Sequence, residues 1–278
     1  MTQGSWRGAA ALVDTRRVAR FGALYAAEYR MRNMLKWWQA ILAFGIGNPI
    51  LYLTSIGIGV GTLIDAHTQG SGPDGVKYLT FIAPALLATA ALQGTMDEVT
   101  FPVVHGFEWR KVFFAMHAAG LTGRQIAQGV LLSAITRCVF TVSVYWVILW
   151  MFDAFNSARA LWLIPTQIYL GACFGAVLMA VSAYMKEDDG WFAIIGRFVV
   201  APMFLFSGTF YALSTLPMTV RWIGWISPLW HATEIGRYFS YDHPVSSQMM
   251  LVHFGYMTLL GLAGILVADR KFALRLSA

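Results

Sequence analysis

Six stretches of this chain stay apolar for about twenty residues each, separated by short polar or Gly- and Pro-containing segments. About twenty helical residues at 1.5 Å rise cross a ~30 Å hydrocarbon layer. The pattern therefore predicts spanning helices over roughly 38–60, 78–96, 126–151, 161–184, 191–213 and 249–268. Gly45, Gly47, Pro49, Pro84 and Pro202 interrupt them, which membrane helices tolerate because neighbouring helices satisfy the freed backbone groups. Ahead of the first run, 14–36 places Val18, Phe21, Tyr25 and Tyr29 at three-to-four spacing, with Arg16, Arg17, Arg20, Arg30 and Arg32 largely elsewhere. That stretch predicts a helix lying along the inner membrane surface, apolar face down.

Composition agrees with this pattern. Of 278 residues 58% are hydrophobic and 12% charged, against about 25% charged in soluble domains. The net charge of +6 is explained by position. With the N-terminus inside and six spans, fourteen basic residues fall in inner segments: Arg7, Arg16, Arg17, Arg20, Arg30, Arg32, Lys36, Arg110, Lys111, Arg124, Lys186, Arg270, Lys271 and Arg275. Four (Lys77, Arg159, Arg221 and Arg237) fall in outer ones. This asymmetry sets orientation in membrane proteins; it puts both ends on the cytoplasmic side and removes the case for nucleic acid as a partner. Apolar residues begin in earnest only near Trp37, so no cleavable signal is expected. Cys138 and Cys173 lie in apolar runs, as buried thiols rather than a disulfide framework or zinc site. No internal repeat, linker or low-complexity segment divides the chain, which reads as one domain over 1–278.

Two connections carry more information than a loop needs. The inner one, 101–125, mixes charge and aromatic rings over 107–116, predicting a short surface helix that ends near Gly120. The other follows the fifth apolar run. Ser207-Gly208 is a small pair that lets a neighbouring backbone approach. Beyond it, 216–226 and 228–239 are each too short to span, and Gly224 and Pro228 keep them apart. Ser227 before Pro228 predicts a side-chain cap followed by a proline at the first helical position. Trp222, Trp225 and Trp230 suit an interfacial depth. Two re-entrant half-helices between spans five and six are expected.

The phrases running 204–217 and 227–237 closely resemble the signature of type-2 ABC export permeases, the group that includes nodulation-protein-J-like and antibiotic-efflux subunits. The strong likeness covers roughly 202–239. It implies an all-α polytopic membrane subunit in the plasma membrane that pairs with itself or a similar permease. Two copies of a separate ABC ATPase would hold the ATP and Mg, leaving this chain without a cofactor or catalysis of its own. By the same likeness, the loop 101–125 is the coupling element that docks on the ATPase, through Phe107, Glu108, Trp109, Arg110, Lys111 and Phe114. The re-entrant pair over 214–240 then forms the outer lid of the path, with Ser207, Gly208, Phe210, Tyr211, Pro217, Pro228, Trp230, His231, Glu234 and Arg237. Ala212 stands where a proline is common in the family, and Trp230 where a small or hydroxyl residue is common; both departures bear on substrate choice. An aromatic-rich, weakly charged interior suits an amphipathic or lipid-linked substrate: a drug, a glycolipid or a lipo-oligosaccharide.

Other chemistry is weaker. His231 and Glu234 share a helical face, but a metal site needs further carboxylates, and pairing of Glu234 with Arg237 or His231 is the simpler expectation. Charges at membrane depth cost about 2.5–3.5 kcal/mol each and so mark functional candidates: Asp97, Glu98, Arg137 and Arg197. An interhelical Arg137–Glu98 pair is expected, with Arg197 snorkelling inward. A serine protease reading of Ser207-Gly208 fails because Leu205 holds the place of the required glycine. His67, His105, His117 and His253 are isolated in sequence. No Gly-x4-Gly-Lys-Ser/Thr loop occurs. The rivals are a gradient-driven secondary transporter, which predicts an inverted repeat, and a non-transporting anchor or receptor.

Overall fold

The computed structural model describes residues 14–69, 72–186 and 190–277; Arg7, counted above among the inner charges, lies outside them. Every regular element among the described residues is helical. Helix α1 (Thr15–Met34) starts where the Asp14 carboxylate accepts from the Arg16 and Arg17 amides, the standard means of satisfying free N–H groups at a helix start. It does not end before the first apolar run. Leu35–Trp37 tightens to a 3-10 turn, and α2 (Trp38–Tyr52), a π-helical stretch (Leu53–Val60) and α3 (Gly61–His67) follow without a break. The expected surface helix and first span are thus one 53-residue run.

Helix α1 has two working faces. Phe21, Tyr25 and Tyr29 are exposed, as the spacing predicted. A second face of Gly22, Ala26, Ala27 and Arg30 is buried. It lies against α7 (Gly123–Met151) so closely that a Cβ at Gly129 would come within 2.4 Å of the Ala26 methyl. Arg30 therefore leaves the solvated side to which its spacing assigned it.

Helices α4 (Tyr78–Val99), α7, α8 (Leu163–Tyr184) and α13 (Ser247–Ser277) form the centre. Small residues set their spacing: a Cβ on Gly264 of α13 would lie 2.6 Å from the backbone of Ala176 in α8, the close approach that glycine permits between membrane helices. Shorter helices complete the chain: α5 (Phe101–Phe107), α6 (Val112–Ala118), α9 (Trp191–Ile195), α10 (Ala201–Phe206), α11 (Met218–Ile226) and α12 (Pro228–Tyr241).

Among the described residues, five helical runs are long and apolar enough to cross a membrane: Thr15–His67, Tyr78–Phe107, Gly123–Met151, Ala158–Tyr184 and Ser247–Ser277. The sixth expected crossing is shorter than its apolar composition suggested. It is helical over Trp191–Phe206 only, including a π-helical stretch at Gly196–Val200. The chain then turns through Gly208 at φ +75°, a left-handed conformation that glycine adopts without a steric penalty.

The bundle has two distinct ends. At the basal end, α1, α5, α6 and the last turns of α8 and α13 meet, marked by Gln125 donating to the Val18 carbonyl and Arg275 donating to the Ala183 carbonyl. At the far end, α12 sits beside Ala158–Trp162, where the Ser157 amide donates to the Ser240 carbonyl, and α11 packs on α10 and α12.

Candidate functional site

The basal connection is two helices with a break, where the sequence pattern predicted one helix. The Arg110 amide donates to the His105 carbonyl, and Lys111 takes a left-handed φ of +48°. Helix α6 then runs to Ala118, and Gly120 turns the chain at φ +97°. The break sorts the candidate residues by side. Phe107 and Phe113 are buried against Phe272 of α13, with ring centroids 4.8–5.5 Å apart. Trp109, Arg110, Lys111 and Phe114 face outward.

Arg275 locks the inner half. Its guanidinium lies 4.0 Å over the Phe107 ring, donates to the Ala183 and Met185 carbonyls at 2.9 Å and pairs with Glu108. Cation–π contact and charge-assisted hydrogen bonds reinforce each other there. Phe113, Phe272 and Arg275 were not singled out from sequence. Phe113 adjoins the candidates, but nothing local links Arg275 to Glu108 across 167 residues.

Above this clamp is a chain of four charges. Arg30 donates to Glu98 Oε2 at 2.9 Å and to the Glu98 carbonyl at 2.8 Å. Arg137 reaches Asp97 at 2.6 Å and Glu98 at 3.5 Å, and Gln93 donates to Asp97 at 2.7 Å. The expected Arg137–Glu98 contact is therefore the longer of two, and Glu98 is held chiefly by Arg30. Arg197 lies exposed on its π-helical stretch and forms no ion pair among the described residues. Asp97 and Arg137 also border a groove of about 580 Å³ lined by α2, α4 and α7, with Phe204 of α10 at its edge.

The far end is organised around Arg237, which is 1% exposed. It donates to the Gly208 carbonyl at 2.6 Å and to Glu234 at 2.8 Å, and its guanidinium covers the Phe81 ring at 4.0 Å. The bend after α10, helix α12 and helix α4 are thereby tied together. Glu234 also lies 3.8 Å from His243, which meets Asp74 at 3.3 Å. Pro217 precedes α11 and Pro228 opens α12. The Ser227 hydroxyl does not cap α12. It accepts instead from the Ser207 hydroxyl at 2.5 Å, binding the bend to the helix junction. The Phe210 carbonyl accepts from the Tyr78 hydroxyl at 3.3 Å, and the Tyr211 hydroxyl donates to the Leu205 carbonyl at 2.6 Å.

His231 turns away from Glu234. Its Nε2 lies 3.1 Å from the Trp225 carbonyl and its Nδ1 lies 2.7 Å from Nδ1 of His253. A carbonyl can only accept, so Nε2 of His231 carries hydrogen and its Nδ1 accepts from His253. Tyr256 stacks on the His231 ring at 4.2 Å, and Trp230 stands edge-on to His253 at 5.0 Å. Burial pushes the His231 pKa down to about 4, which keeps the ring neutral. His253, isolated in sequence, is thus part of this cluster. Among the described residues no group of three or more His, Cys, Asp or Glu could hold a metal ion.

A family model described as "ABC-2 type transporter" matches residues 21–241. The chain belongs to the ABC-2 type transporter family. Among curated relatives, nodulation protein J of Rhizobium leguminosarum bv. viciae is 25% identical over 258 residues, 92% of this chain and 96% of that protein. Nodulation protein J of Rhizobium meliloti (strain 1021) is 25% identical over 227 residues, 81% of this chain and 82% of its own length. The ABC-2 match takes in the basal break, the four charges, α11 and α12. It stops short of α13, which supplies Phe272, Arg275 and His253. As an ABC-2 transporter chain with several membrane-crossing helices, it is a multi-pass membrane subunit of a transport system.

Proposed function

We propose that this chain is the permease half of an ATP-driven exporter in the plasma membrane, with both termini cytoplasmic. It works as a pair of permease subunits, identical or similar, bound by two separate ATPase chains that hold the ATP and Mg. The observation that carries this reading is the ABC-2 match over residues 21–241. The inner placement of fourteen basic residues supports the orientation. The cargo is an amphipathic or lipid-linked molecule.

In this mechanism ATP binding draws the two ATPases together. The outward residues Trp109, Arg110, Lys111 and Phe114 take up that movement. The Phe107–Phe113–Phe272 stack and Arg275 hold the same segment to the ends of α8 and α13, so it moves as a rigid lever. Arg237, fixing the bend after α10 to α12, makes the far end the counterpart that opens. Two discrete arrangements biased by ATP are what such coupling requires.

The test is co-purification with a phosphate-loop ATPase, followed by hydrolysis and efflux measurements on the complex. Glu108→Ala with Arg110→Ala should keep hydrolysis and lose efflux. Recovering no ATPase, with efflux intact in the double variant, would remove the reading. The charge chain Arg30–Glu98–Arg137–Asp97 is what a gradient-driven carrier would use. That rival requires efflux to collapse with a protonophore while cellular ATP is maintained.

A further inference from the structure

His243 follows α12, where Asp242 turns the chain at φ +58°. Aspartate is one of the few residues besides glycine that enter this left-handed region readily. The turn folds the histidine back along the helix, and its amide donates to the Arg237 carbonyl at 3.4 Å. Its ring is thereby set between two carboxylates on separate elements. Nδ1 lies 3.3 Å from Asp74, in the connection between α3 and α4, and Nε2 lies 3.8 Å from Glu234 of α12. A neutral imidazole carries one N–H, so one ring nitrogen would turn its lone pair toward a carboxylate. The imidazolium carries two and answers both charges at once.

The other groups around this pair already have partners. Arg237 donates to Glu234 at 2.8 Å, and the Tyr241 hydroxyl donates to Asp74 at 2.9 Å. Arg221 of α11 borders the same cavity but donates to the Ser214 and Leu216 carbonyls. Arg159 pairs with Asp242 at 3.0 Å, and Asp65 of α3 accepts from the Tyr78 amide at 3.0 Å. Of these residue types only histidine ordinarily changes charge between about pH 5 and 8. A cavity of about 300 Å³ bordered by Asp74, Glu234 and His243 gives water a route to the ring.

We propose that Asp74, His243 and Glu234 form a latch that protonation tightens. With the ring charged, the connection before α4 is fastened to α12. Through Glu234 it is fastened also to Arg237, which holds the bend after α10 at the Gly208 carbonyl. With the ring neutral, one carboxylate loses its partner and the connection is released. The latch therefore responds to the pH of the medium at the far end, holding that end shut in acid and freeing it in alkali. It goes beyond the exporter reading and does not depend on it.

The experiment follows amide hydrogen exchange by mass spectrometry on the full chain in phosphatidylcholine nanodiscs, at pH 6.5 and 8.5. The peptide 72–78 reports the connection, where the Gly75, Val76 and Tyr78 amides are hydrogen-bonded. Protection is taken against a free peptide of the same sequence, which cancels the pH dependence of exchange itself. Protection in the wild type should fall about threefold from pH 6.5 to 8.5, the scale of partly exposed ion pairs. His243→Gln should give the lower value at both pH values, and His243→Lys, charged throughout, the higher value at both. Asp74→Asn should flatten the response while Tyr241 keeps its partner. Equal protection of the wild type at the two pH values, or the same fall in His243→Gln, would overturn the latch. His231 contributes fully down to about pH 6.5, so His231→Gln should leave the response unchanged; its loss in that variant would assign the response to the His231–His253 contact and overturn the latch as well.

Discussion

Removing either member of the Arg30–Glu98 pair leaves a charge at a position where both side chains are about one-tenth exposed. Glu98→Ala should therefore cost about 3 kcal/mol or more, whereas joint replacement by Met at Arg30 and Leu at Glu98 should recover most of it. Thermal unfolding in detergent checks this; equal losses in the single and double variants would show that the pair is not the cause. His231 gives the pH counterpart. Its pKa is about 4 in the fold and near 6.5 in the unfolded chain, so unfolding takes up a proton between those values. Stability from this residue is complete above about pH 6.5 and declines as pH falls toward 4. Proteolysis of the 218–241 region should accelerate over that window, and His231→Gln should flatten the response. At this scale the sequence shows which residues are unusual for their position and says little about their partners. Asp97, Glu98 and Arg137 stand out as charges in apolar runs. Arg30 did not, because periodicity along a single helix says nothing of the second helix that covers it. Ser227 carried a sound local capping signal and was taken by Ser207, twenty residues away.

Between elements, glycine decides how near helices lie. A methyl at Gly264 would press into the Ala176–Val177 backbone of α8 at 2.6 Å. Gly264→Ala should cost about 1–3 kcal/mol through overpacking. Gly255, on the same helix, has nothing within 4 Å of an added Cβ, so Gly255→Ala should be neutral or mildly stabilising. Unfolding temperatures of the two variants give the comparison directly. The basal clamp makes a functional prediction of the same order. Arg275→Ala frees Glu108 and two carbonyls at the end of α8, so ATP hydrolysis by the assembled complex should persist while efflux falls. Loss of both together would assign Arg275 to folding alone. Element boundaries were legible where the chain carries its own stop, as at Gly120 and Pro228. They were not at Leu35–Trp37, where nothing breaks the helix, nor at Phe206, where the apolar pattern outlasts the helical backbone.

For the molecule as a whole, the asymmetry of basic residues predicts that tags at both termini stay inaccessible to protease added outside intact cells. Cleavage of either tag would reverse or break the proposed orientation. The crossing helices also differ in how firmly they are set. Only 17% of the most apolar window in Thr15–His67 is buried, against 72% in Tyr78–Phe107, and Phe44 and Phe198 are 66% and 75% exposed. The two π-helical stretches, Leu53–Val60 and Gly196–Val200, fall in these loosely bedded segments. Each carries a surplus residue in its turns. Deleting one residue within 53–60 should let ordinary helix run through while the helix on either side keeps its facing, so the variant should fold and retain its unfolding temperature. Such a surplus is a wrinkle in a rug: it can be passed along the rod, letting one half twist against the other while both stay fully wound.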